Sequence, residues 1–143
     1  MRWKLSLEQS YAKQIPTDNI RSKSLLQSSG QAISAALKIK AEADTLKTII
    51  RELYEGLRQC CEALGYQRGY KFSSHEVITY FIEEVLKEES IASKFDRYRK
   101  MRNGINYYGD DVSQETVQEA KNEIPLLIEK LKKHLIKERR DTK

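Results

Sequence analysis

Arg99, Arg102, Asn103 and Asn106 stand at i, i+3, i+4 and i+7, a spacing that gathers them on one face of an α-helix. These are residue types suited to phosphate. A guanidinium donates a rigid pair of hydrogen bonds to phosphate oxygens, and a carboxamide adapts around it. Tyr107 lies one turn beyond Asn103, and Lys94, Arg97 and Lys100 add charge nearby. Gly104, in the middle of this segment, costs about 1 kcal/mol against alanine in a helix. Its missing side chain leaves room for a backbone or a ligand to approach. The plain alternative is a solvated charged face whose asparagines cap carbonyls at the helix end.

Other chemically capable residues are few. Cys60 and Cys61 are adjacent, which suits neither a disulfide framework nor a zinc pattern. With His75 and His134 as the only histidines, no metal and no cofactor are expected. His75 is assigned to the cap of a helix and His134 to the rim of the last one. Tyr54 falls between Ile50 and Leu57 and reads as packing, as do the two cysteines.

The elements that must position the arginine face follow from composition and periodicity. In 143 residues, 33% are charged and 39% hydrophobic, with only 6 Gly and 2 Pro. That is one domain's length, and too few turn residues for a sandwich or barrel. The net charge of +5 permits nucleic-acid binding. No apolar run is long enough for a membrane span, and the start has no signal-peptide core, so the expected compartment is cytoplasmic.

The expected fold is all-α, an antiparallel bundle of four to five helices. Residues 1–16 form an N-terminal extension, residues 17–138 the bundle and residues 139–143 a basic tail. Trp3, Leu7, Tyr11 and Ile15 suggest a short first helix, although Trp3–Leu7 also fits a brief strand. Thr17 or Asp18 caps a helix to about residue 40, with Leu25, Leu26, Ser29, Ala32, Ile33, Ala36 and Leu37 inward. Asp44 caps a strongly amphipathic helix that ends at Gly65. Ser73-Ser-His-Glu76 forms a capping box for a helix to about Glu89. The arginine-bearing helix runs from about Ile91 to Tyr108. Ser113 caps the last one, which Pro125 interrupts.

The segment Tyr98-Arg-Lys-Met-Arg-Asn-Gly-Ile-Asn-Tyr-Tyr-Gly109, followed by a capped amphipathic helix, resembles the signature helix of HEPN domains (higher eukaryotes and prokaryotes nucleotide-binding). Tyr54–Leu64 is similar to that family's second long helix, and Ser74–Phe81 to its Ser-His opening of the third. The resemblance spans roughly residues 20 to 135. It implies a homodimer with two signature helices facing a cleft, and RNA or a nucleotide as ligand. Many members are metal-independent endoribonucleases, often toxins paired with a nucleotidyltransferase antitoxin.

Their signature is an arginine, a polar residue and, little more than a turn later, a histidine. Arg102 matches the arginine and Asn103 the polar residue, but Tyr107 or Tyr108 stands where histidine is expected. A tyrosine titrates near 10, so about one in a thousand is ionised at pH 7, whereas histidine exchanges protons there readily. The resemblance therefore assigns Arg102 and Tyr107 to catalysis, and Arg99, Asn103, Asn106 and Tyr108 to binding. It leaves open whether the chain cleaves RNA, only binds it, or serves as an interaction module for a nucleotidyltransferase. Tyr107 and Tyr108 are also positioned as acceptors for nucleotide modification. The alternative for this pair is packing, Tyr108 beside Ile105 and Tyr107 at an interface.

Overall fold

A computed structural model describes residues 1–137. The basic tail, residues 139–143, and residue 138 lie outside the described residues. Helices dominate: α1 (Arg2–Glu8), α2 (Asn19–Lys38), α3 (Leu46–Gln67), α4 (Glu76–Tyr80), α5 (Glu89–Tyr108) and α6 (Gln114–Lys132). A π-helical stretch, Phe81–Val85, continues α4. One two-stranded antiparallel ribbon joins β1 (Ala12–Gln14) to β2 (Tyr70–Phe72), with Ala12 opposite Phe72 and Gln14 opposite Tyr70. Among the described residues no helix is long and apolar enough to cross a membrane.

α3 is the central element, packed by α2, α5, α6 and β2. Its apolar stripe, Ile49, Ile50, Leu53, Leu57, Cys60, Cys61 and Leu64, is buried throughout. Burial pushes the Cys60 thiol up to about 12 and the Cys61 thiol well above its ordinary range. α2 lies close against α3 because small residues face each other: the Ser29 hydroxyl donates to the Gly56 carbonyl at 2.6 Å, and Ser22 to Ala63 at 2.8 Å. Leu37, expected inward, is exposed instead. With α2 held so near, Ser22, Ser29 and Ala36 form its buried face, and the larger side chains spread to the sides.

Helix ends follow local hydrogen bonding. Asp18 caps α2 by accepting from the Arg21 N–H, and Ser113 caps α6 by accepting from Thr116. At α3 the N-cap is Thr45 rather than Asp44. The Thr45 hydroxyl accepts from the Glu42 N–H and donates to the Lys40 carbonyl, locking the preceding loop. Gly65 is not a terminus: α3 continues to Gln67, and the Phe72 ring occupies the space a Gly65 side chain would fill. The left-handed residue is Gly69, at φ 80°. The helix expected to reach Glu89 breaks at Lys87, at φ 60°, before α5 begins.

The N-terminal extension covers the core. Trp3 is buried and meets Tyr70, Phe72 and Phe81 edge-on, with ring centroids 5.1–6.1 Å apart. The Trp3 N–H donates to the Glu84 carboxylate at 3.3 Å, serving a backbone donor that the first turn of α1 leaves without a helical partner.

Candidate functional site

α5 carries the arginine face, and its orientation is fixed from both sides. Ile91, Ala92, Phe95, Tyr98 and Ile105 are buried. On the α6 side the Tyr98 hydroxyl donates to Glu123 at 2.5 Å, Arg97 pairs with Glu119 at 2.7 Å and Lys94 with Glu123 at 3.5 Å. Two of the cations expected to reinforce a phosphate face are thus spent on holding α5 to α6.

The remaining positive charges are sorted in the same way. The Arg99 Nε and Nη2 both donate to Asp96 Oδ1, at 2.9 and 2.7 Å, and Lys100 pairs with Asp96 Oδ2 at 3.1 Å. Partial burial opposes ionisation of Asp96, but the hydrogen bonds from Arg99 and Lys100 prevail and hold its carboxyl below the usual range. On α3, Arg58 is clamped between Glu55 and Glu62.

Arg102 differs. Among the described residues it makes no ion pair with a carboxylate. Its guanidinium lies over the Tyr54 ring, 5.0 Å from the centroid, and its Nη2 donates to His75 Nδ1 at 2.7 Å. The Tyr54 hydroxyl stands 3.1 Å from the same nitrogen. Three elements therefore converge: Tyr54 and Arg58 from α3, His75 at the N-cap of α4, and Arg102 from α5.

The electrostatics of this convergence are unusual for a histidine. Burial, followed by the charges of Arg58 and Arg102, pulls His75 from 6.5 down to about 4, against a smaller opposing pull from Glu55. A guanidinium has no lone pair to offer, so Nδ1 accepts and the proton of the neutral ring sits on Nε2. Burial pushes the Tyr54 hydroxyl up to about 12 despite Arg102. At neutral pH Arg102 is the cluster's one cation without a carboxylate partner among the described residues, set against two neutral, hydrogen-bonding rings.

No protein-family model matches this chain, and no curated protein matches its sequence.

The site residues expected from sequence separate into two groups. Arg102 belongs to the cluster, Arg99 lies one turn before it on Asp96, and Asn103 is half-buried beside Arg102 on the same helix. Asn106 lies further along, accepting from Arg51 Nε at 2.6 Å. Tyr107 and Tyr108 are not in the cluster. They are 70% and 82% exposed, which also corrects the expectation that Tyr108 packs beside Ile105. Five residues correspond to about 140° around a helix, so Tyr107 projects away from Arg102. The Asp110 side chain occupies the space a Cβ at Gly104 would need, and the N–H groups of Gly109 and Asp110 return to the Gly104 carbonyl.

Sequence reasoning placed His75 in a helix cap and Tyr54 in the core, and missed that both meet Arg102. The signal available was slight. His75 opens α4, and a residue at a helix start can face whatever packs across it.

Proposed function

We propose that this chain binds the phosphate groups of single-stranded RNA or of a nucleotide at Arg102, as an HEPN-like protein acting as a homodimer. Metal-independent endoribonuclease activity in a toxin–antitoxin pair is the form that the resemblance adds. One observation carries the reading: Arg102 is a half-buried guanidinium with an aromatic ring beneath it and no carboxylate partner among the described residues, while Arg58, Arg99 and Lys100 around it are paired with carboxylates. An oriented, unneutralised guanidinium is what a phosphate oxygen pair requires. Asn103 stands one residue away to adapt to the ligand.

The test is binding and cleavage of a mixed-sequence single-stranded RNA in EDTA. Arg102→Ala is expected to weaken binding by about 10- to 100-fold, the worth of one or two charge-assisted hydrogen bonds, while its melting temperature stays within about 4 °C. Binding that Arg102→Ala leaves unchanged refutes the proposal. Cleavage by wild type that Arg102→Ala abolishes and Tyr107→Phe retains would establish a ribonuclease whose proton carrier is not Tyr107.

A second reading is a non-catalytic module that partners a nucleotidyltransferase. The exposure of Tyr107 and Tyr108 favours it, since both hydroxyls are reachable as acceptors. A stable complex with a co-encoded nucleotidyltransferase in size-exclusion chromatography, with no RNA affinity, would select this reading.

A further inference from the structure

The contact between Arg102 and His75 places a permanent donor against the ring nitrogen that a second proton would occupy. Arg102 Nη2 lies 2.7 Å from His75 Nδ1, and two N–H groups cannot face each other at that distance. While this contact stands, the ring accepts at Nδ1 and stays neutral. A phosphate on Arg102 competes for the same Nη2 donor. Once the donor turns to the phosphate, Nδ1 faces the Tyr54 hydroxyl, which can accept as well as donate, and a negative charge lies close enough to favour an imidazolium.

We propose that His75 is the second half of this phosphate site, taking up a proton at Nδ1 as the ligand engages Arg102 and then donating to that same ligand. The inference rests on the reading of Arg102 as a phosphate ligand. Ligand binding and protonation thereby become two faces of one equilibrium, each strengthening the other by the same factor.

Every charged group around the ring bears on this exchange. From α3 come Arg58, paired with Glu55 and Glu62, and the neutral Tyr54 hydroxyl 3.1 Å from Nδ1. From α5 come Arg102 and Arg99, the latter paired with Asp96. Next to His75 in sequence, Glu76 accepts from the Tyr80 hydroxyl at 2.7 Å. Burial and the charges of Arg58 and Arg102 hold the imidazole near 4. Of these charges, Arg102 is the one the ligand itself would answer.

The experiment is calorimetric titration of the full chain at pH 6 with a 2′-O-methyl single-stranded RNA. That probe presents phosphodiesters and cannot be cut by its own 2′-hydroxyl. Runs in two buffers of different ionisation enthalpy give the protons taken up per site. The expected result is a large fraction of one proton for wild type and none for His75→Gln, which still binds, more weakly. Long-range ¹H–¹⁵N spectra of the wild type give an independent readout, with His134→Gln used to assign the signals. The His75 ring should be the Nε2–H form without RNA and doubly protonated with it.

Arg102-dependent binding without proton uptake overturns the role of His75 and leaves the phosphate reading standing. The same uptake in His75→Gln also overturns it. Absence of Arg102-dependent binding overturns both.

Discussion

His75 shows how much a single side chain can owe to residues far from it in sequence. The unfolded chain frees it to titrate near 6.5, whereas the folded chain holds it near 4. Between those values the unfolded state binds more protons, so stability rises with pH there. The neutral ring's contribution is complete above about pH 6.5, is lost as pH falls toward 4 and levels off below. The loss should be on the order of 1–2 kcal/mol after allowing for solvent screening of a half-exposed site. Urea melts from pH 7 to 4 should show this decline in wild type and a flatter profile in His75→Gln. Asp96, lowered from 3.8, loses its own contribution only below that window and does not imitate the effect. The shared face of Arg99, Arg102, Asn103 and Asn106 was legible because helical spacing determines it. The meeting of His75 with Arg102 spans 27 residues, and no periodicity in either segment announces it.

At the scale of elements, two glycines that look alike in sequence do different work. Gly65 lies inside α3, where a side chain would run into the Phe72 ring and approach the Tyr70 carbonyl. Gly65→Ala should therefore cost about 1–3 kcal/mol by overpacking. Gly104 is opposed only by the end of the exposed, movable Asp110 side chain. Gly104→Ala should be neutral or gain up to about 1 kcal/mol of helix propensity. Paired thermal melts check both, and the reverse order of stabilities would refute the assignment. Reading Gly65 as a helix end was reasonable locally, since glycine is common there. What overrode it was β2, which folds back over α3 and needs the vacant Cβ position. β1 and β2 themselves were not legible, because three residues are too short to show an alternating pattern.

For the whole molecule, the body is a helical bundle sealed at one end by its own first residues. Trp3 joins Tyr70, Phe72 and Phe81, so α1, β2 and the π-helical stretch share one aromatic cluster. Trp3→Ala should cost about 3–5 kcal/mol, seen as a lowered urea midpoint with little change in slope. A loss under about 1 kcal/mol would show that the first residues are an appendage. The all-α class and the order of the long helices were legible because amphipathic stripes are long and caps are local. The way α1 closes over the core was not, since a short segment with four apolar residues fits a helix or a strand equally well.

The adjacent thiols of Cys60 and Cys61 lie on the buried face of α3 with their ionisation suppressed. The thiolate is the nucleophile that attacks an alkylating reagent and displaces its leaving group, so at neutral pH the native chain should be almost inert to such reagents. Modification must wait until α3 parts from its neighbours. The pair is thus a built-in clock. In excess reagent, the rate of alkylation counts the openings of the central helix, and a ligand that steadies the bundle will slow that clock without touching either sulfur.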